Sequence, residues 1–251
     1  MAPGHRLSLE LGPLALELGH GQGEWSLAVV REPEKEESAR RAGIRVDRGS
    51  PGMVEERFVH DDSKHRVMIT PVLADRPVVF RPRQPVFLLS GQEITLYLST
   101  PVHLRIQVGD PPVLLRELHV LRQSDTWFGP STREGELCYS ARTHARHSLA
   151  EVPRRAHRAI TPLKIRNQAP APLPLEKISL PVPMLSLYGT ADGGLWTQRV
   201  VLVREDVSDL ATVRVDSALP DAGQPLTRIS PPRREPGRGG VVRAFSLLFG
   251  Q

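Results

Sequence analysis

The residues best able to do chemistry crowd into one stretch of the chain. Between Ala141 and Arg166 seven positive residues (Arg142, Arg146, Arg154, Arg155, Arg158, Lys164 and Arg166) face one acid, Glu151, with His144, His147 and His157 interleaved. Planar guanidinium groups at such density suit bidentate binding of phosphate or carboxylate. Arg142, His144, Arg146, Arg154, Arg155 and Arg158 are therefore the candidate anion- or partner-binding set. A solvated basic loop is the competing reading of the same residues. Tyr139 alone lies near enough for base stacking, so nucleic acid is not the expected partner. Arg228, Arg233, Arg234, Arg238 and Arg243 against Glu235 make a second, smaller basic group.

Other constellations are weaker. His60-Asp61-Asp62-Ser63-Lys64-His65 carries the donor types of a divalent-metal site. Its Asp-Asp-Ser-Lys centre is also an ordinary polar turn between two strand-like runs, and the turn is the reading adopted. Cys138 is the only cysteine. It excludes an intrachain disulfide and a multi-cysteine metal site, and it reads as a small buried apolar residue. The chain contains no Gly-x-Ser-x-Gly elbow, phosphate loop or dinucleotide fingerprint. Asp192-Gly193-Gly194 leads into the strand-like Leu195-Trp196-Thr197-Gln198, so it reads as a hairpin turn. No catalytic residue, metal or cofactor is expected.

The elements that would position these residues read as strands. Of the chain's 251 residues, 24 are Pro and 20 are Gly, scattered between short runs rich in Val, Ile and Leu. Leu7–Leu11 and Leu14–Leu18 alternate with period two around Gly12-Pro13, which predicts a hairpin, and Glu24–Val30 a third strand. Glu32–Arg41 places acids before arginines and predicts a short exposed helix. Strands are expected at Arg66–Ile69, Pro77–Phe80, Val86–Leu89, Ile94–Leu98 and Val102–Ile106, the spacing of a sandwich or barrel. Ser140–Ile160 does not read as strand. Leu175–Leu180 reads as an edge strand among five prolines, and Leu195–Val203 as a strand. Arg204–Leu210 suits a helical turn, and Val241–Phe249 a closing strand or short helix. Trp25, Trp127 and Trp196 are expected core anchors, and His103 and His119 sheet residues.

The middle of the chain echoes itself. Thr100-Pro101, Gly129 and Gly135 recur as Thr161-Pro162, Gly189 and Gly194, at offsets of 61, 60 and 59. The echo predicts an all-β protein of two related antiparallel β-sandwich-like modules arising by internal duplication. The modules would be residues 1–145, with an extra N-terminal hairpin, and 146–251, with the basic stretch as connector. No apolar run reaches the length of a membrane span, and the N-terminus leads into alternating Leu and Glu instead of a signal core. A cytoplasmic location is the expectation. A net charge of +5 and a pI near 9.9 come from 29 Arg against four Lys.

Pro101–Val108, then Trp127-Phe128-Gly129 with Gly135–Tyr139, then Ile165-Arg166-Asn167 and Leu187-Tyr188, occur in an order that resembles an uncharacterised prokaryotic family, domain of unknown function four-three-two. The resemblance spans about residues 65–205, with Trp127-Phe128 where the family tends to an apolar-Tyr pair. It implies an all-β cytosolic protein without an assigned reaction. Some relatives are associated with small-conductance mechanosensitive channels, which implies a regulatory or adaptor role. The expectation is a non-enzymatic adaptor or regulator that binds another protein, such as a membrane complex at its cytoplasmic face. The alternative is a ligand-binding or enzymatic β-domain gripping an anionic substrate through the arginines.

Overall fold

The computed structural model describes all residues except 36–40, 50, 53–55, 61–64, 85, 207–209, 236–239 and 244–251, with backbone alone at 210 and 240–243. The protein is all-β, with several antiparallel sheets and two single-turn 3-10 segments, Leu149–Glu151 and Val182–Met184, among the described residues. It forms two compact units assembled from separated pieces of chain. Unit 1 comprises Met1–Val72, Pro101–Arg122 and Arg155–His157; unit 2 comprises Leu73–Thr100, Gln123–Arg154 and Arg158–Gln251. Neither unit is one continuous stretch such as 1–145 or 146–251.

Unit 1 begins with the hairpin that the alternation of Leu and polar residues requires. Strands β1 (His5–Leu11) and β2 (Leu14–His20) pair around Gly12-Pro13, and β3 (Glu24–Arg31) follows. With β4 (Ala42–Arg48) beside β1 and β5 (Glu56–Val59) beside β3, they form a five-stranded antiparallel sheet ordered β4-β1-β2-β3-β5. One face carries Leu7, Leu14, Leu16, Leu18, Trp25 and Leu27, all buried. A second antiparallel sheet has β10 (His103–Val108) between β6 (Val67–Val72) and β11 (Val113–His119), and buries Leu104, Ile106 and Val108. The Arg31 Nε donates to the His119 carbonyl at 3.0 Å, and Arg116 pairs with Glu56 at 3.0 Å, tying the β11 side to the first sheet. His103 and His119 are cross-strand partners whose rings stack at 4.0 Å, as sheet residues should.

Unit 2 mixes parallel and antiparallel pairs. Strand β7 (Val78–Pro82) runs parallel to β13 (Glu136–Thr143); β12 (Ser124–Phe128) and β16 (Ile178–Leu180) flank them antiparallel, in the order β12-β13-β7-β16. Leu175–Leu180 thus yields an edge strand only at its end. The hub of the largest sheet is β14 (Arg158–Asn167), which pairs with β9 (Glu93–Pro101) and, in parallel, with β18 (Leu195–Thr197) and β19 (Val200–Arg204). The register offset along β14 moves from 36 to 37 between β18 and β19, so the single strand expected at 195–203 is two strands, interrupted at Gln198-Arg199. Strands β17 (Leu187–Gly189) and β21 (Thr227–Ser230) extend the sheet from β18, and β20 (Leu210–Val215) and β22 (Gly240–Arg243) from β19. A two-stranded ribbon pairs β8 (Phe87–Leu88) with β15 (Leu173–Pro174). Asn167 holds the segment leading to that ribbon, its Nδ2 donating to the carbonyls of Leu88 and Ala171 at 2.9 Å each.

The two echoing segments coincide at one local feature. Gly129–Gly135 closes the β12–β13 hairpin and Gly189–Gly194 the β17–β18 hairpin. At Gly129 a Cβ would lie 2.0 Å from the Glu134 carbonyl oxygen, so that loop closes only around glycine. The sheet contexts differ, however. Thr100-Pro101 ends β9, whereas Thr161-Pro162 lies inside β14. The first copy divides between the units after Thr100 and again after Arg122, while the second lies wholly in unit 2. Common hairpins alone do not establish a duplication.

The expected helix at Glu32–Arg41 falls largely on residues 36–40, outside the described residues; Glu32–Lys35 are not helical. The expected turn at 204–210 likewise includes 207–209, with β19 ending at Arg204 and β20 beginning at Leu210. The expected closing element at 241–249 is strand as far as Arg243, and the remainder lies outside the described residues.

Candidate functional site

The basic stretch is held by several different elements. Arg142 sits exposed on β13, in register with Arg81 of the parallel β7. His144 is exposed in the connection after β13; Arg146 is half-buried, and its carbonyl accepts from the Tyr97 amide at 3.0 Å. Arg154 reaches Asp192 at 2.7 Å. Arg158, at the start of β14, donates to the Ser99 carbonyl at 3.0 Å. Arg155 belongs to unit 1, where it pairs with Glu34. Arg154, Arg155 and Arg158 therefore reach three different acceptors, all within the protein. In the second basic group Arg233 donates to the Leu73 carbonyl at 2.8 Å; Arg238 and the Arg243 side chain lie outside what is described.

Arg155–His157 forms a small built site of its own. His157 is fully buried, and its Nε2 lies 2.9 Å from Glu34 Oε1, the carboxylate that also receives Arg155. A carboxylate only accepts, so Nε2 carries the proton and the imidazole donates. The other edge of the ring lies over Gly12, where a Cβ would meet His157 Nδ1 at 2.3 Å. Gly12 also has φ +57°, in the left-handed region that glycine enters without a Cβ clash. The His157 carbonyl accepts from the Val102 amide at 3.0 Å. A turn glycine, a carboxylate and a strand entry thus grip three residues of the basic stretch. A His–Glu pair in an open cleft could move protons, but this imidazole has no exposed surface, so the arrangement reads as a clamp.

Cys138 is fully buried with Val79 and Phe128. Burial pushes its thiol up to about 12, with nearby Glu136 adding to the effect, so it is an inert thiol. Tyr139 is likewise pushed up to about 12, by burial and by the Asp75 carboxylate, to which its hydroxyl donates at 2.9 Å. Of the cluster at 60–65, Asp61–Lys64 lie outside the described residues. His65 takes φ +50° and its ring lies 4.9 Å from that of His20, which stacks on Trp25 at 4.0 Å.

One surface feature escaped the sequence reading. Trp25 and Trp196 are core residues, at 0% and 2% exposure, but Trp127 is 46% exposed. It lies on β12, the edge strand of its sheet, directly across from Leu137 at 44% exposure. The Trp127 indole N–H donates to the Ser131 carbonyl at 2.7 Å, and its ring packs beside Gly135, so the side chain is held over its own loop. The neighbouring strand position, Glu136, lines a cavity of about 120 Å³ with Pro77, Ser179, Pro181, Pro183, Met184 and Arg234. Burial raises the Glu136 carboxyl, and Arg234 opposes that shift. No sequence signal separated Trp127 from the buried tryptophans, because exposure here depends on the order of strands in the sheet.

Fold and surface together define an all-β protein of antiparallel and mixed sheets, with an apolar edge hairpin and with several of its basic side chains committed to internal partners. Comparison with known families assigns it: the chain belongs to the family described as protein of unknown function (DUF432), which matches residues 2–249. The match includes the N-terminal hairpin and β3, well beyond the segment of 65–205 that carried the resemblance. Neither the curated proteins nor the solved structures contain a match.

Proposed function

We propose that this protein is a non-enzymatic adaptor or regulator that binds another protein through the β12–β13 hairpin of unit 2. The observation that carries the reading is the exposed Trp127–Leu137 cross-strand pair on a sheet edge. Tryptophan with an apolar neighbour on an edge is the kind of group that dominates binding energy when a partner covers it. The loop already fixes the indole, so binding it requires little further ordering. The engagement of Arg154, Arg155 and Arg158 with internal acceptors weighs against an anionic substrate gripped by these residues.

Leu137→Glu tests this reading best, because it leaves the Trp127–Ser131 staple in place. The wild-type chain and the variant are used as baits at moderate salt, and any captured protein is then purified and titrated against both. A partner whose affinity falls at least tenfold with Leu137→Glu supports the proposal. Equal binding by the two baits, or turnover of a phosphorylated or sugar substrate by the purified chain, overturns it.

A further inference from the structure

We propose that β4 of unit 1 is a self-association edge, on which a second copy of this chain pairs antiparallel about a two-fold axis through Val46. Strand β4 is the outermost strand of its sheet, and among the described residues nothing pairs with its other side. All of Ala42–Arg48 is exposed except Asp47, which is half-buried. The hydrogen-bond phase is set at its two ends, where the Gly12 amide donates to the Arg41 carbonyl at 2.8 Å and the Gly49 amide to the Gly4 carbonyl at 3.0 Å. Opposed residues of an antiparallel ladder alternate between bonded and non-bonded pairs. Residues 41, 43, 45, 47 and 49 therefore turn their backbone groups toward β1. The N–H and C=O of Ala42, Ile44, Val46 and Arg48 point outward, where none of the described strands pairs with them.

The side chains indicate what kind of strand it is. Ile44 aligns with Leu9 and Leu16, and Val46 with Leu7 and Leu18, so both stand on the apolar face of the sheet. There Leu7, Leu16 and Leu18 are buried, whereas Ile44 is 64% and Val46 53% exposed. Edges in soluble proteins are commonly blunted by proline, lysine, a bulge or shortness, and β4 has none of the first three over seven residues. The opposite edge, β5, is only four residues long.

The charges select a second copy over an unrelated strand. Arg45 and Asp47 occupy the other face and pair with each other along β4 at 2.6 Å. Arg45-Val46-Asp47 is its own antiparallel complement. With Val46 opposite Val46, Arg45 of each copy faces Asp47 of the other, in the closely spaced non-bonded positions. Val46 and the Ile44/Arg48 positions then fall on bonded pairs, which matches the outward-pointing groups. Centring the axis on Arg45 would oppose two arginines, which the ladder disfavours. The pairing is isologous and closed, so it gives a dimer with a continuous ten-stranded sheet. It uses a different surface from the β12–β13 hairpin.

The test is the molar mass in solution of the full chain, by light scattering over a concentration series, with exposed-strand variants checked for fold by circular dichroism. The wild type should reach twice 27.8 kDa. Asp47→Arg should shift the dimer constant at least tenfold toward monomer, and the swap Arg45→Asp with Asp47→Arg should restore the dimer. The single native cysteine is buried, so Val46→Cys reports the register directly: it should form a covalent dimer on mild oxidation, and Arg45→Cys should not. A wild type that stays monomeric throughout, a swap that fails to restore the dimer, or cross-linking through Arg45→Cys in place of Val46→Cys overturns the proposal.

Discussion

Arg154 and Arg155 are neighbours in sequence and opposites in role. Arg154 lies in unit 2, its side chain 59% exposed, and pairs across solvent with Asp192. Arg155 lies in unit 1, its side chain 28% exposed, and shares Glu34 with a histidine that has no exposed surface. A pair held in water gains little, because solvent and salt screen it and ordering two long side chains opposes it. A carboxylate withdrawn from water with two donors converging on it is different: its removal strands the donors. Charge density along a chain therefore says little about where the energy lies. Burial and the number of donors per acceptor decide it.

That contrast is broken most severely at Gly12. Gly12→Ala sets a methyl against the His157 ring at distances of 2.3 to 2.8 Å, in a residue at φ +57°. The left-handed conformation and the overpacking together should destabilise unit 1 by roughly 2–4 kcal/mol. Urea unfolding followed by the fluorescence of Trp25, which is buried in that unit, should show a clearly lower midpoint. An unchanged midpoint would mean that the ring is not seated on this glycine. Glu34→Ala comes next. It leaves His157 Nε2 and the Arg155 guanidinium without their shared acceptor, for a loss of about 2 kcal/mol in the same measurement. Its effect should persist at high salt, where an exposed pair would have been screened already.

How much of this could be read from the sequence follows from the range of the forces involved. The β1–β2 hairpin is written locally, as alternating Leu on either side of Gly12-Pro13, and the strands begin and end within a few residues of that pattern. The same holds for β9 and β10, whose apolar runs are bounded by turn residues. The parallel pairing of β7 with β13 carries no local mark, since the strands are joined through chain that passes into unit 1 and back. Likewise the clamp on His157 joins residues 123 positions apart. The basic stretch was visible as composition, but its division among Asp192, Glu34 and the Ser99 carbonyl depends on which strands neighbour one another. Trp127 misled for the same reason: its pattern is that of a strand residue, and only its edge position exposes it.

Arg154→Ala should give the smallest effect and most sharply defines the contrast. Asp192 has other donors: the Thr190 hydroxyl, the Gly194 amide at 3.3 Å and Gln224 Nε2 at 3.1 Å. Its carboxyl is held below the usual aspartate range, first by the Thr190 hydrogen bond, then by the Gly194 amide, with the charge of Arg154 a lesser cause. Removing Arg154 should therefore leave the midpoint of urea unfolding within experimental scatter. The Asp192 carboxyl, followed by NMR during an acid titration, should still titrate below an ordinary aspartate, whereas Thr190→Val should move it upward by more than Arg154→Ala does. A larger shift in the arginine variant would place the control of this loop in the ion pair and would make Arg154 the equal of Arg155. Retention of the depressed value would locate it in the hairpin's own hydroxyl and amide, the short-range groups that also close the turn between β17 and β18.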